Sequence, residues 1–303
     1  GPYIKRWEAV DIGLSESFIH SLNSPYQFVQ EQDIKLQLKP RHRFSNKGTY
    51  GHALLIAGQP ETMGAALLCA SACAYAGAGL TTACVPQSGL TALNAYQPEI
   101  MAIVRDGKKQ PDISWDKFTV AGIGPGLGKG KEARKLLSAL FKNYGKPAVI
   151  DADALNMLAA DQPLLKQVPA QSIVTPHMKE FDRLFGTHTG WWQRIQTAIG
   201  KAAEYQIYII LKNDYTITVT PGGKVFFNST SNAAMASGGM GDVLTGVVTS
   251  LLAQGYTAEQ ACLMGVYIHG KAGDELALPN RMMTLLPGKL IEQLPKTMAG
   301  LLG

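Results

Sequence analysis

No apolar run in these 303 residues approaches the length of a membrane span, and the opening residues carry no secretory-signal pattern. Cysteine is scarce. Cys69, Cys73, Cys84 and Cys262 all lie in apolar segments. Cys69 and Cys73 are one helical turn apart, but no histidine or second close pair joins them, so they read as buried thiols rather than metal ligands. Thiols of that kind place the chain in a reducing, cytoplasmic setting. Charge is also sparse at 17% of residues, and the net charge of +5 is scattered, with Lys108-Lys109 and Lys129/Lys131 the densest clusters. Nucleic-acid binding calls for a basic face with interleaved aromatics, which is missing. The mild excess suits a small polyanion or simple solubility. Neither a Walker A sequence nor a G-x-S-x-G elbow occurs, which excludes P-loop chemistry and the common hydrolase nucleophile.

What is present is a globular composition, 46% hydrophobic, and an alternation of short apolar runs with helical patterns. From His52 onward strands are expected at His52–Ala57, Leu80–Val85, Phe118–Ile123, Ala148–Asp151, Ser172–Thr175 and Ile207–Leu211. Helices are expected at Gly64–Ala76, Lys131–Phe141, Ala152–Ala160, Met178–Phe185, Trp191–Tyr205, Val243–Gln254 and Ala258–Leu278. Thr216–Thr220 and Lys224–Phe227 flank Pro221-Gly222-Gly223, a hairpin signal. Continuous apolar strands alternating with helices predict an α/β fold, a mostly parallel central sheet covered on both faces. Residues 1–39 read differently. A strand fragment over Tyr3–Leu14 is followed by Ser- and Gln-rich sequence, so this part is expected to be a tail or linker, and 40–303 the domain. Gly1-Pro2 resembles the scar left by a protease.

Ligands of open α/β sheets bind outside the carboxyl ends of the strands. Those ends here are Gly58 onward, Gly124–Gly128, Asp151–Asp153, Thr175-Pro176-His177, Lys212–Thr216 and Ser237–Asp242. The last is the most informative. Ser237-Gly238-Gly239-Met240-Gly241-Asp242 is a glycine-rich turn that opens a helix, so its free amides and the helix dipole favour an anion. Asp242 sits at that mouth, where the positive potential is expected to keep its carboxylate ionised, as a base beside a phosphoryl group requires. The same residues also fit a plain capped helix. Other signals are equally two-sided. Asp151 and Asp153 fit a metal site, or Asp153 an N-cap; His177 fits a ligand contact or a cap on Met178–Phe185; Lys212 fits a phosphate contact or a snorkelling side chain. Gly124-Pro125-Gly126-Leu127-Gly128 departs from the dinucleotide fingerprint and fits a strand-to-helix turn.

Taken in order, six motifs resemble one family. They are Asn46-Lys47-Gly48-Thr49-Tyr50-Gly51, Met63-Gly64-Ala65-Ala66, Gly124–Gly128, Asp151-Ala152-Asp153-Ala154-Leu155, Thr175-Pro176-His177-Met178-Lys179-Glu180 and Gly238–Asp242. Together they resemble the ADP/ATP-dependent NAD(P)H-hydrate dehydratases of the ribokinase-like superfamily, over about residues 40–295. The resemblance implies a repair reaction: a phosphoryl group passes from ADP or ATP to the hydroxyl of hydrated NADH or NADPH, and phosphate then leaves. It implies Asp242 as the catalytic base, and Gly239 and Gly241 as amides for the developing charge. By the same resemblance Ala65, Gly126, His177 and Asp242 contact the hydrated dinucleotide. Lys212, Asn213, Asp214, Tyr215, Thr216 and Gly241 contact the adenine nucleotide. Mg²⁺ is the implied phosphate partner, with no protein ligand assigned to it.

The partners implied are small molecules, with neither nucleic acid nor membrane, and a homo-oligomer, commonly a tetramer. Val10-Asp11-Ile12-Gly13-Leu14 resembles the end of the epimerase domain that precedes the dehydratase in bifunctional members, so an excised C-terminal part is expected. Three places depart from the family pattern: Asn213 where glycine is usual, Ser231-Asn232-Ala233-Ala234 in place of Gly-Asn-Pro-Gly, and Asn46 where histidine is frequent. Two other functions fit the same residues. One is a ribokinase-like small-molecule kinase of the hydroxymethylpyrimidine or hydroxyethylthiazole type, whose phosphate would stay on the product. The other is a nucleotide-binding protein without turnover.

Overall fold

Successive residues of a strand point to opposite faces of a sheet. In this chain both faces are apolar. Leu54 and Ile56 belong to one buried cluster, and Ala53, Leu55 and Ala57, between and beside them, to another. Such strands must be covered twice, and the computed structural model, which describes Val10 and residues 12–302, shows how. The strands are β1 (Tyr26–Val29), β2 (His52–Ile56), β3 (Leu80–Pro86), β4 (Met101–Arg105), β5 (Val120–Ile123), β6 (Ala148–Ile150), β7 (Ile173–Val174), β8 (Tyr208–Leu211), β9 (Ile217–Val219) and β10 (Val225–Asn228). Their order in the sheet is β1-β10-β9-β8-β7-β6-β5-β2-β3-β4. Only β9 runs antiparallel to its neighbours. The expected hairpin is β9–β10, closed where Gly223, with φ 83°, donates its N–H to Thr220 O at 3.0 Å.

One face carries helices Lys131–Ala139, Ala152–Ala160, Met178–Phe185 and Trp191–Tyr205. The other carries Met63–Tyr75, Met240–Ala253, Ala258–Ala277 and Pro287–Leu302. The α/β fold with a mostly parallel, doubly covered sheet is thus the one expected from the alternation. Helices Met63–Tyr75 and Met240–Ala253 approach unusually closely, because Gly246 has no side chain. A Cβ there would lie 2.2 Å from Cys69 O and 2.8 Å from Ala72 Cβ. Among the described residues no helix is long and apolar enough to cross a membrane.

The stretch 26–38, which its polar composition assigns to a tail, is built into the domain. Strand β1 pairs with β10 in parallel register from Tyr26↔Val225 to Val29↔Asn228. Val29, Ile34 and Leu38 are buried in the same cluster as Val247 and Met264. Glu31 bridges Lys35 at 2.8 Å and Lys271 at 2.9 Å, and these bonds, Lys35's first, hold its carboxyl down at about 2. The proposed strand over Tyr3–Leu14 falls mainly on residues 1–9 and 11, outside the described residues; Ile12–Leu14 form no strand.

Ile34 is fully buried, so Ile34→Ala is expected to lose about 2–5 kcal/mol in urea unfolding. A loss under about 0.5 kcal/mol, the range of surface substitutions, would return this segment to the status of a tail.

Candidate active site

Helix Met240–Ala253 starts without a side-chain cap. Its N-cap residue is Gly239, held in the left-handed region at φ 96°, ψ −14°. A left-handed residue followed by helical ones turns successive N–H groups to one side, forming a nest for an anion. No residue but glycine fits there, since a Cβ would lie 2.6 Å from Leu68 Cδ1 and 3.0 Å from Pro287 Cγ. The first-turn amides have no partners within the helix, except that Val243 N–H reaches back to Gly239 O at 3.1 Å. Gly241 faces the neighbouring charges: a Cβ on it would be 3.4 Å from Lys212 Nζ and 4.0 Å from Asp151 Oδ2.

Those charges form a chain of contacts at the carboxyl edge of the sheet. Asp151 follows β6 and is only 1% exposed. Its Oδ1 accepts from Lys212 Nζ at 2.7 Å, and its Oδ2 accepts from Thr245 Oγ1 at 2.7 Å. Asp153 Oδ2 accepts the Gly128 N–H at 2.8 Å. Between them Ala152 has φ 48°, a strained conformation for a residue with a Cβ. Both aspartates are therefore engaged by protein donors, and the N-cap position of Ala152–Ala160 belongs to Asp151, not Asp153. Among the described residues no three His, Cys, Asp or Glu side chains are grouped to hold a metal ion.

Asp242 differs from its expected state. Its carboxyl is pushed up to about 7, first by burial and then by the charge of Asp151, with Asp153 and Glu180 adding to the rise and Lys212 opposing it. Burial among carboxylates outweighs the attraction of the helix start. At neutral pH Asp242 is thus poised between its two forms, the condition that suits a general base.

Lys212 follows β8, donates its N–H to Pro176 O at 2.9 Å and bridges His177 in parallel. The His177 ring acts as a cap: Nδ1 accepts from Lys179 N at 3.1 Å and Glu180 N at 3.2 Å, while Glu180 Oε2 accepts the His177 N–H at 3.0 Å. His177 also borders a cavity of about 440 Å³ together with Lys212, Asn213, Thr216 and Gly241. Asp214 and Tyr215 are exposed and outside that lining. Ala65 and Gly126 meet elsewhere, on the wall beside β2 and β5, where a Cβ on Gly126 would be 2.9 Å from Ala65 Cβ. Thr62 Oγ1 donates to Gly126 O at 2.7 Å and Gln59 Nε2 to Leu127 O at 2.6 Å, which fixes this wall. The helix Met63–Tyr75 joins the two regions, since Ala65 is at its start and Leu68 packs on Gly239.

The segment Ser231–Ala234 is ordered without the usual glycines and proline. Asn232 Oδ1 accepts the Ala234 N–H at 3.0 Å, its Nδ2 donates to Asp274 Oδ1 at 2.8 Å, and Ala234 O accepts from Leu285 N at 2.8 Å. Sequence reasoning missed three participants: Thr245, Asn228 and His269. Asn228 and His269 line the cavity, and His269 donates to Met240 O at 3.0 Å. The available signal was Gly270, a mid-helix glycine that costs helix stability. It is needed because a Cβ there would be 2.4 Å from Thr230 O.

Residues 53–296 match the NAD(P)H-hydrate dehydratase family. The chain belongs to that family. It is 34% identical over 308 residues to the bifunctional NAD(P)H-hydrate repair enzyme of Moorella thermoacetica, covering 98% of this chain and 58% of that protein. It is 36% identical over 244 residues to the ADP-dependent (S)-NAD(P)H-hydrate dehydratase of Neisseria meningitidis, covering 78% of this chain and 80% of that one. The ADP/ATP-dependent dehydratase of Bacillus subtilis, co-crystallised with ATP and Mg²⁺, superposes with a TM-score of 0.80 at 30% identity, covering 91% of this chain and 98% of its own. The fold is accordingly the ribokinase-like one. The chain spans between 51% and 58% of the length of the bifunctional relatives from Moorella, Thermofilum, Coxiella and Vibrio.

The raised carboxyl of Asp242 in this dehydratase-family chain has a cost in stability. Between about pH 4 and pH 7 the unfolded chain has released the Asp242 proton and the folded chain has not. The unfolded state then binds fewer protons, so stability falls as pH rises through that window and levels off above it. Asp242→Asn removes the titration. Its melting temperature is expected to match wild type near pH 4 and to exceed it increasingly towards pH 8. An offset that is the same at pH 5 and pH 8 would show that Asp242 titrates normally.

Proposed function

We propose that the chain restores hydrated NADH or NADPH by nucleotide-dependent dehydration. The observation that carries this reading is the Gly239–Asp242 turn, which combines free helix-start amides with a carboxyl poised near 7. Asp242 accepts the proton of the ring hydroxyl. The hydroxyl oxygen attacks the terminal phosphorus of ADP or ATP, and the bond from that phosphorus to the bridging oxygen breaks, releasing AMP or ADP. The product is a phosphate ester. Hydroxide is a poor leaving group and phosphate a good one. The ring nitrogen lone pair expels phosphate as the C–O bond breaks, and the neighbouring ring carbon loses a proton to form the double bond of the dihydronicotinamide.

The chain supplies position and charge. Gly239 and Gly241 amides receive the transferring phosphoryl group. Lys212, fixed by Asp151 at 2.7 Å, adds a cation at the same place. The cavity bounded by Lys212, Asn213 and Thr216 takes the adenine nucleotide, and two orphaned buried acceptors, Asn213 Oδ1 and Asn228 Oδ1, belong to residues of its wall. The wall at Ala65 and Gly126, with His177, is assigned to the hydrated dinucleotide. Asp214 and Tyr215 serve the nucleotide from the exposed side of its loop. Mg²⁺, present with ATP in the Bacillus relative's crystals, would neutralise phosphate charge. Among the described residues no three His, Cys, Asp or Glu side chains group to hold it, and both oxygens of Asp151 and Oδ2 of Asp153 already accept protein hydrogen bonds. Phosphate oxygens and water would be its main ligands. Four free, buried cysteines support the assignment to a reducing cytoplasm. An assembly of several copies, and an epimerase part elsewhere in the full protein, belong to the same proposal.

The test supplies hydrated NADH or NADPH with ADP and ATP in parallel and follows recovery of dihydronicotinamide absorbance. Recovery is expected, at a rate that rises through about pH 7 as Asp242 loses its proton and flattens above. Asp242→Asn should lower the rate about 10²–10⁴-fold with little change in nucleotide binding. Accumulation of a stable phosphorylated alcohol would overturn the repair reading in favour of a kinase. Nucleotide binding with no turnover would leave only a binding protein.

A further inference from the structure

We propose that His269 is a positioning residue for phosphoryl transfer: by holding the Met240 carbonyl it aims the Gly241 N–H at the transferring phosphate. The proposal rests on the dehydration reading above and assigns a residue that no motif of that reading contains.

The argument begins with the planarity of the peptide unit. The Met240 carbonyl and the Gly241 N–H belong to one trans peptide, so they lie in one plane and point in opposite directions. Fixing the oxygen fixes the direction of the N–H. His269 Nε2 lies 3.0 Å from Met240 O. A carbonyl only accepts, so Nε2 carries the proton and donates it. Met240 opens the helix, so helix geometry uses one lone pair of its oxygen four residues on. The second is free for the imidazole. The Gly241 N–H, at the opposite end of the same unit, is a first-turn donor with no helical partner. It is therefore held outward, towards the cavity that Gly241 and Lys212 border.

Donation to a peptide oxygen also polarises the unit and makes its N–H a stronger donor. The effect needs an imidazole that keeps one tautomer. Burial, the largest influence, together with the nearby Lys212 charge pushes the His269 ring down to about 4, against the Met240 hydrogen bond. The ring is neutral across physiological pH and remains a fixed single donor towards Met240. Its place is set from the helix behind it. Gly270 lets helix Ala258–Ala277 touch the Thr230 backbone, and Thr230 Oγ1 donates to Tyr267 O at 2.9 Å, two residues before His269. The ring is thus held in the cavity wall, against the first residue of the Asp242 helix.

A residue that only filled space would affect every nucleotide alike. Positioning of the Gly241 amide affects the transferred phosphate, which ADP has and AMP lacks. The experiment compares ADP and AMP affinities by calorimetry in wild type, His269→Phe and His269→Gln, with kcat for hydrated NADH measured in parallel. In His269→Phe the ratio of ADP to AMP affinity is expected to fall about tenfold, and kcat about 10²-fold, as for loss of an oxyanion donor. His269→Gln, which keeps an N–H donor, should recover most of both. His269→Leu replaces the Phe variant if the latter does not fold. An unchanged affinity ratio in the donor-less variant overturns the proposal, as does equal loss in the Phe and Gln variants. Nucleotide binding by wild type without repair turnover sinks the dehydration reading alone, because the affinity ratio still reports on His269. Wild type that binds neither nucleotide sinks both.

Discussion

The Asp151 carboxylate is the joint on which the site depends. A charge that is 1% exposed is tolerated only when paired and hydrogen-bonded. Both oxygens meet that condition, one with Lys212 after β8 and the other with Thr245 on the Asp242 helix. The pairing ties the ends of two strands to the face of one helix at the carboxyl edge of the sheet. Removing either partner would leave one oxygen of a buried charge unpaired, at a cost in stability. The same charge acts on Asp242 from close by and helps to raise it. One residue thus fixes the position of Lys212 and, after burial, contributes most to the raised carboxyl of Asp242.

Three glycines let the backbone come close enough for this joint to work. Gly246 brings the Asp242 helix onto Cys69, Gly239 seats its first turn against Leu68 and Pro287, and Gly270 brings the next helix onto Thr230. In each case a Cβ would fall at 2.6 Å or less from a neighbouring atom. The close approaches leave the helix start with little room to shift, and a fixed array of amides needs no reorganisation when charge develops in front of it.

Much of this is legible in the sequence. Helices Ala152–Ala160, Met178–Phe185 and Trp191–Tyr205 run between the residues at which their patterns begin and end; the signal is clearest in Met178–Phe185, which has a strong apolar period and stops at Gly186. Strand β1 was not legible: Tyr-Gln-Phe-Val is short, three of its four residues are exposed, and its pairing partner lies some 200 residues away, at Val225–Asn228. Strand β4 is another edge strand with mostly outward residues. Helix Pro287–Leu302 contains Pro295, which masks its period. Within the site, the Gly239 turn could be read because only glycine allows it. The state of Asp242 could not, since it depends on how deeply it is buried and on Asp151, some 90 residues earlier. His177 caps its helix, as one of its two readings has it, and Lys212 is held by an ion pair with Asp151 instead of snorkelling; both also border the cavity.

The electrostatics also explain why amides, rather than more cations, dominate the proposed phosphate seat. Asp151, Asp153, Glu180 and Asp242 bring four carboxyl groups near one lysine. A nucleotide adds negative charge beside them, and by itself would raise Asp242 further and hold it protonated. A second lysine would relieve that repulsion, but its attraction would lower Asp242 towards an ordinary aspartate and weaken it as a base. Dipoles at a helix start attract an anion without placing a further full charge in the site, and Asp242, itself in that first turn, feels them too. Burial and the Asp151 charge nevertheless leave Asp242 at about 7. The helix start can then favour an anion while the carboxyl beside it stays raised, which a second lysine would prevent.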